Sequence, residues 1–463
     1  MGNRFLIVGA GFSGTVLAAN LLRRLPAEGN EIVLVERGPE FGRGLAYAIH
    51  EYPHLLNVPA GRLSADSKDP LQFLNFAKAT VPDASAEDFL PRQLYGTYLQ
   101  HFLLWAERES PGVILTRVPG EVVRIARQAP LGRLDAEFAD GSSIAADCVI
   151  LAPGNPPPPC MAWTLPVREH PAYHENPWVS PLPFRDKQSV LIVGNGLTMA
   201  DVASSLCDDA ASGETGRGRR VMTISRRGLV PLAQSAFHAA AVRGDGAGLL
   251  ESAGSIRRLA AASRSMARDV VLLGGDWREV VTFIRNLAPL LWQRLPEIER
   301  RRFVRHLQGI WDVHRHRLPP QLAQRLESLR SSGRLEINAG RIDSVVPDGE
   351  RLRVSWRPRG AATANTVVVD ALINAMGPDY RLARARDRLL QNLRREGWIC
   401  EDALELGLRT GPLGECVSAA GTPSDQLYYL GPMLRASQWE ATAAPELRNH
   451  AERLALHLIR FRK

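Results

Sequence analysis

Near its start the chain carries a short apolar segment followed by three glycines spaced as G-x-G-x-x-G. The apolar residues from Phe5 to Val8 predict a buried strand, and the residues that follow the glycines, as far as Leu22, predict a helix. In this order the first glycine allows a tight turn, the second lets a pyrophosphate approach the backbone, and the third lets the helix pack on the strand. The pattern predicts a dinucleotide-binding site at the helix N-terminus, with Gly9, Gly11, Phe12, Ser13 and Gly14 as its residues.

A second predicted strand, Ile32 to Glu36, ends on an acidic residue. In a dinucleotide-binding unit this is the position from which a carboxylate binds the ribose hydroxyls. We therefore assign Glu36, together with its neighbour Arg37, to the same cofactor site.

The strand–glycine–helix pattern occurs a second time, from Ser189 to Asp201. Met199 replaces the third glycine, so the contact between helix and strand must differ there. The second site is assigned to Gly194, Gly196, Leu197 and Thr198.

The strand that follows the second site ends in Ser225, Arg226 and Arg227 in place of an acid. A 2′-phosphate favours planar guanidinium donors, so Arg226 and Arg227 predict NADP rather than NAD. A solvated turn with surface charge remains the alternative explanation.

Four consecutive prolines, 156–159, mark a stiff linker and the clearest domain boundary. The predicted fold class is α/β, with two Rossmann-like dinucleotide-binding domains and a helical insertion. We expect the first part of an FAD-binding domain at 1–160, an NADPH-binding domain at 185–365 with a helical insert at about 229–329, and the second part of the FAD-binding domain at 366–463. Strand-end turns at Gly154, Gly377 and Gly431-Pro432 are expected to face the cofactors.

Composition excludes several classes of protein. The 463 residues carry a formal charge of +8 without a basic run interleaved with aromatics, which argues against nucleic acid as a partner. No apolar run reaches the roughly 18–20 residues of a membrane span, so we expect a cytoplasmic protein with no membrane partner. The five cysteines form no C-x-x-C pair, and the histidines His306, His314 and His316 lack a carboxylate cluster beyond Asp312, so no metal site is predicted.

Four further stretches support a resemblance to a known group of proteins. They are Gly42–Tyr47, His54–Gly61, Asp312–Arg317, and Gly431-Pro432 together with Trp439–Ala443. With the two glycine loops, they resemble the bacterial FAD/NAD(P)-binding oxidoreductases, which are related to the lysine and ornithine N-hydroxylases.

The resemblance implies bound FAD and NADPH, a small-molecule substrate and monooxygenase chemistry, and it is compatible with a homo-oligomer. Two alternatives stay open: a flavin-bearing reductase that passes NADPH electrons to a partner, and a nucleotide-binding redox sensor without turnover. Arg43 and Asn57 are candidate flavin contacts, although Arg43 could equally be a surface arginine. Val122 and Trp439 complete the predicted cofactor-binding set, and no catalytic residue is assigned.

Overall fold

The computed structural model describes residues 2–27, 29–48, 52–128, 132–179, 187–208, 218–235, 242 and 246–460. The predicted start of the second domain at 185 and part of the predicted insert, 236–241 and 243–245, lie outside the described residues. In the described part of the chain, no helix is both long and apolar enough to cross a membrane.

The described residues form both helices and strands along the length of the chain. In chain order, the helices are α1 Phe12–Leu22, α2 Gln72–Lys78, α3 Arg92–Glu109, α4 Leu197–Leu206, α5 Ala247–Ser252, α6 Ile256–Leu272, α7 Trp277–Arg294, α8 Glu297–Arg302, α9 Gln308–Arg315, α10 Pro320–Ser331, α11 Arg388–Arg395 and α12 Ala444–Leu458. The strands are β1 Arg4–Val8, β2 Glu31–Glu36, β3 Ile114–Pro119, β4 Val122–Gln128, β5 Arg133–Phe138, β6 Ser143–Ala146, β7 Cys148–Leu151, β8 Tyr173–His174, β9 Ser189–Val193, β10 Arg220–Ser225, β11 Leu335–Asp348, β12 Arg351–Pro358, β13 Asn365–Val369, β14 Ala371–Asn374, β15 Glu415–Val417 and β16 Pro423–Tyr429.

The first sheet has the order β15-β16-β7-β1-β2-β3. Its strands are parallel from β16 to β3, and only β15 runs antiparallel to its neighbour. One face is covered by α1, α3 and α12, and the other by the small antiparallel sheet β4-β5-β6 with α11. Central strands such as β1 carry a buried apolar run, here Phe5 to Ile7, because both faces of a parallel sheet are covered.

The second sheet has the order β13-β12-β11-β10-β9-β14-β8. It is parallel from β11 to β8, while β12 and β13 are antiparallel. In both sheets the strand before the glycine loop is central. β1 lies between β2 and β7, and β9 lies between β10 and β14. β7 and β14 are the strands that end in the predicted turns. The predicted α/β fold with two Rossmann-like units is therefore confirmed.

The proline linker runs beside the segment in which the chain returns from the second sheet to the first unit. The backbone N–H of Asp379 donates to Pro157 O at 3.0 Å, and Arg386 donates to Pro158 O at 3.1 Å. The second sheet continues to Asn374, nine residues past the predicted boundary at 365, because β13 and β14 both pair within it.

Helices α5 to α9 form a small bundle between β10 and α10. Their apolar residues pack with Leu406, Ala436 and Trp439 of the C-terminal part of the chain. In contrast, α10 places Leu326 and Leu329 in the core of the second sheet. The predicted helical insertion therefore contacts both units. Its last helix, α10, packs in the core of the second sheet, and the bundle packs against the C-terminal part of the first unit.

Candidate cofactor-binding cleft

The first glycine loop is fixed between two neighbouring strands. Gly9 N donates to Val35 O at 2.9 Å, and Ala152 N donates to Val8 O at 2.8 Å. Gly9 has a φ of +105°, and a Cβ there would collide with the carbonyl oxygen of Ala152. A glycine at this position is therefore required by the protein itself.

The second loop repeats this arrangement. Gly194 N donates to Ile224 O at 2.9 Å, and Ala375 N donates to Val193 O at 2.8 Å. A Cβ on Gly194 would collide with the carbonyl oxygen of Ala375. The turns after β7 and β14, which carry Gly154 and Gly377, thus lie against the two glycine loops in equivalent places.

Gly11 and Gly196 differ from these packing glycines. A Cβ on Gly11 would lie 3.5 Å from Gly44 Cα, an ordinary contact, and a Cβ on Gly196 would meet nothing within 4 Å. Both have backbone angles that any residue adopts. These two glycines leave open space at the N-termini of α1 and α4. That space fits the pyrophosphate groups of two dinucleotides.

The carboxylate of Glu36 holds the first loop in shape. Its Oε2 accepts a hydrogen bond from Ala10 N at 2.8 Å, and its Oε1 accepts one from Gly38 N at 2.8 Å. Each carboxylate oxygen keeps a second lone pair. Because Glu36 also lines the cleft, it can hold the loop and still accept hydrogen bonds from a ribose.

One cavity of about 830 Å³ connects the two loops. It reaches from α1 to α4, and Thr442 and Ala444, at the start of α12, also line it. Thirteen of the predicted site residues line it, namely Gly9, Gly11, Phe12, Ser13, Glu36, Arg37, Arg43, Val122, Gly154, Leu197, Thr198, Gly377 and Pro432.

Eight predicted residues, all within the described part of the chain, do not line this cavity: Gly14, Asn57, Gly194, Gly196, Arg226, Arg227, Gly431 and Trp439. Gly14, Gly194 and Gly431 lie directly against backbone or side-chain atoms of neighbouring residues. Gly196 instead precedes α4, with open space beside it.

Trp439 packs inside the insert interface. Its ring lies 4.7 Å from the ring of Trp292 and 4.9 Å from that of Phe303, and only 5% of the residue is exposed. It also precedes α12, which begins only at Ala444. Trp439 therefore packs against the helical insert and does not line the cleft. The sequence alone could not predict this apolar contact.

The two candidate arginines at the first loop are engaged by the protein. Arg43 donates to Gln93 O at 3.0 Å and to Thr97 Oγ1 at 2.9 Å, and it pairs with Glu40. Its guanidinium therefore joins the loop to α3, at a position that also lines the cavity. Arg37 is an exposed residue paired with Asp387 at 3.0 Å.

At the second site the arginine pair is split. Arg227 donates to His306 O at 2.9 Å and to Arg305 O at 3.3 Å, both in the π-helical turn Phe303–Leu307 that precedes α9. Arg226 is exposed. Of the two, Arg226 is the more exposed residue, whereas Arg227 is half-buried.

The sequence analysis did not identify the residues that line the cavity where the two units meet. Arg92, Trp178 and Asp201 all line the cavity. Burial raises the pKa of Asp201, an effect that its neighbour Arg92 opposes. The one signal in the sequence was Leu90-Pro91-Arg92, which predicts the start of a helix but does not predict the contact between Arg92 and Asp201.

Comparison with known proteins agrees with this geometry. The model of the FAD-NAD(P)-binding family matches residues 6–156. This stretch is an FAD-NAD(P)-binding domain, which confirms the predicted cofactor class. No curated protein matches the chain significantly in sequence.

Solved structures share the fold over nearly the whole chain. Ornithine hydroxylase PvdA from Pseudomonas aeruginosa, in its reduced form, is 15% identical, with 99% of each chain covered and a TM-score of 0.64. The ornithine N-hydroxylase KtzI from Kutzneria sp. 744, solved with reduced FAD, NADP+ and L-ornithine, is 15% identical, with 99% of each chain covered and a TM-score of 0.61. Thioredoxin reductase from T. acidophilum is 12% identical, covering 99% of this chain and 98% of its own, with a TM-score of 0.53. The predicted resemblance is therefore confirmed at the level of the fold.

Proposed function

We propose that this protein is an FAD-dependent, NADPH-linked monooxygenase that oxygenates a small molecule, in the manner of the N-hydroxylases. The observation that carries the proposal is that the N-termini of α1 and α4 open into one cavity. Two dinucleotides bound there would have their reactive rings in a shared space. The overall reaction is NADPH + H+ + O2 + substrate giving NADP+ + H2O + oxygenated substrate.

When bound, FAD supplies the redox chemistry, by accepting a hydride and delivering electrons to oxygen. The chain's own residues bind and orient the cofactor. The N-terminus of α1 and the open position at Gly11 would hold the pyrophosphate, and Glu36 would accept from the ribose. The start of α12 directs its positive end at the cavity, where it favours negative charge.

The cysteines argue for oxygen over a disulfide as the electron acceptor. All five lie in the described part of the chain, and none of them is among the residues that line the cavity. Burial raises the pKa of Cys148 and of Cys416 well above the usual value, which makes their thiolates scarce. A flavin reductase acting through a protein disulfide would need a reactive cysteine pair beside the ring.

Oxygen use tests the proposal directly. The purified protein, loaded with FAD, should consume oxygen when NADPH is added, and a panel of small amines and amino acids should identify a substrate that gains one atom from isotopically labelled oxygen. Without that substrate, we expect slow NADPH oxidation or release of hydrogen peroxide.

Two results would contradict it. Reduced protein that is indifferent to oxygen but reoxidised by an added electron acceptor would identify a reductase. A protein in which NADPH never bleaches the flavin absorbance would be a binding protein without turnover.

A further inference from the structure

The turn between α6 and α7 exposes an apolar surface at one end of the helical insert. Leu272 and Leu273 are 84% and 80% exposed, the two highest values among the large hydrophobic residues of the described chain, and Val271 is 52% exposed. A Cβ on the next residue, Gly274, would meet nothing within 4 Å. We call Val271, Leu272 and Leu273 the leucine tip. Apolar side chains scattered singly over a surface need no explanation, whereas a contiguous exposed patch indicates an interaction site.

The backbone that carries the leucine tip is already hydrogen-bonded. Gly275 N donates to Val270 O at 2.9 Å, and Gly274 N donates to Val271 O at 3.0 Å. Gly274 has a φ of +82°, the left-handed conformation with which many helices end. Because these two carbonyl groups have donors within the turn, transfer of the leucine tip into an apolar phase does not leave them unpaired.

The face of α6 that leads to the leucine tip is basic. Arg257, Arg264 and Arg268 are exposed, and their helical spacing places them on the same side of α6 as Leu272. None of these three arginines forms an ion pair with another described residue. We call these three residues the basic face. The opposite side of α6 packs in the core of the insert, through residues such as Ile256.

The net charge of the insert has the same sign as the basic face. From the start of α5 to the end of α9, residues 247–315 carry twelve arginines against seven acidic residues. The difference is five of the eight formal positive charges of the whole chain. An anionic surface therefore attracts the end of the molecule that carries the leucine tip.

We propose that the leucine tip and the basic face dock the protein on the surface of an anionic lipid bilayer. Leu272 and Leu273 enter the boundary between the headgroups and the acyl chains, and the three arginines bind lipid phosphates beside them. A bilayer accepts an exposed apolar turn without a pocket shaped to receive it. The expectation that no membrane is a partner rested on the lack of a spanning segment, and a peripheral contact needs none.

A second copy of this chain fits the leucine tip less well than a bilayer does. In a symmetric pair of copies, the two basic faces would approach each other and repel. The three side chains of the leucine tip also cover far less than the roughly 800 Å² per partner that a stable interface buries. No residue of the leucine tip or of the basic face lines the cavity, so the proposal does not depend on the proposed function.

Vesicle flotation of the FAD-loaded full chain tests the proposal. Vesicles of phosphatidylcholine alone are compared with vesicles made from equal parts of phosphatidylcholine and phosphatidylglycerol. One double variant, Leu272→Ser with Leu273→Ser, removes the apolar part of the site. The other, Arg264→Gln with Arg268→Gln, removes most of the charge of the basic face.

Two single variants outside the insert serve as matched controls. Leu165→Ser changes a leucine that is 63% exposed, in the short helical segment Ala162–Val167. Arg108→Gln changes an exposed arginine of α3. Flavin absorbance and the thermal midpoint check that every variant is folded and holds its cofactor.

The wild type should bind the anionic vesicles at least about tenfold more tightly than the neutral ones, because the arginines bind lipid phosphates. Each double variant should weaken binding to the anionic vesicles at least about tenfold, and both controls should retain the wild-type affinity. Added salt should weaken binding by the wild type, since it screens the attraction between the arginines and the lipids.

Several results would overturn the proposal. They are an absence of binding to both vesicles, equal binding to both, and binding that either double variant leaves unchanged. Sedimentation velocity without lipid identifies a different occupant: a wild type that dimerises, beside a double-leucine variant that does not, would assign the leucine tip to a second copy. A wild type that ignores vesicles but is retained on immobilised polyglutamate through the basic face would assign the site to an acidic protein.

Discussion

Arg92 Nη2 donates to Asp201 Oδ2 at 2.6 Å, across the boundary between the two dinucleotide-binding units. Arg92 begins α3 on the first unit, and Asp201 lies in α4 on the second, where it is only 3% exposed. A second contact, Tyr52 to Ser204 at 2.9 Å, lies one turn along α4. This ion pair thus lines the cofactor cleft and joins the two units that carry the glycine loops.

Breaking this pair should destabilise the protein more than removing a surface pair. Asp201→Ala leaves the Arg92 charge without its partner and should lower the free energy of unfolding by about 3 kcal/mol. Asp201→Asn keeps an acceptor oxygen, so the loss should be about 1 kcal/mol. Urea unfolding measures both.

The matched control for Asp201 is Glu327→Ala, which removes the exposed pair of Glu327 with Arg330 and should cost less than about 0.5 kcal/mol. Equal losses for Asp201→Ala and Glu327→Ala would show that the contact between the units is not a stabilising one.

Gly9 and Gly11 should respond differently to the same substitution. Gly9→Ala collides with the backbone of Ala152 and should lower the free energy of unfolding by more than about 2 kcal/mol. Gly11→Ala fits the protein but occupies the pyrophosphate space, so it should leave the fold intact and weaken FAD by roughly 100-fold. Thermal unfolding of the apoprotein and FAD titration separate the two effects. A Gly11→Ala protein that binds FAD normally would remove the first dinucleotide site from that position.

The sequence was sufficient to predict both glycine loops and the turns beside them because these depend on local chemistry. Gly9, Ala152 and Gly154 belong to short motifs whose strands must be neighbours in any sheet of this order. The residues that long side chains contact could not be predicted from the sequence. Arg43 reaches α3, about 50 residues further along the chain, and Trp439 packs against the insert, because only the folded chain brings those partners together.

The same limit explains the missed wall of the cleft. Arg92 and Asp201 are separated by 109 residues and lie on different units, so no local pattern connects them. Their pairing depends on how the two units pack together. The proline linker allows this arrangement but does not determine it.

Arg226 and Arg227 should also differ in their effects. Arg226 is exposed at the end of β10, so Arg226→Ala should weaken NADPH about tenfold and leave NADH unchanged. Arg227 binds the carbonyls of Arg305 and His306, so Arg227→Ala should lower the free energy of unfolding by about 1 kcal/mol. Stopped-flow reduction of the flavin by each nicotinamide cofactor gives the first result, and urea unfolding the second. Wild-type rates that are equal for NADPH and NADH, and unchanged in both variants, would mean that these arginines do not select the cofactor.

His316 should make the stability of the protein depend on pH. Burial, together with the charges of Arg315, Arg435 and Arg285, lowers the pKa of His316 to about 3. An imidazole in the unfolded chain titrates near pH 6.5, so between about pH 6.5 and 3 the unfolded state binds a proton that the folded state does not. The contribution is therefore fully present above about pH 6.5 and is lost as the pH falls.

The expected size of this effect is set by exposure and by one neighbouring carboxylate. The His316 side chain keeps 32% of its surface exposed, and Asp312 Oδ1 lies 3.9 Å from Nε2, so water and this carboxylate moderate the loss. We expect the free energy of unfolding to fall by about 1 kcal/mol more in the wild type than in His316→Gln between about pH 7.5 and 5. Urea unfolding at the two pH values measures the difference. His101→Gln, at an exposed histidine on α3, serves as the control and should retain the wild-type dependence. If His316→Gln also retains it, the imidazole of His316 is protonated as readily in the folded protein as in the unfolded chain, and the charges of Arg315, Arg435 and Arg285 do not lower its pKa.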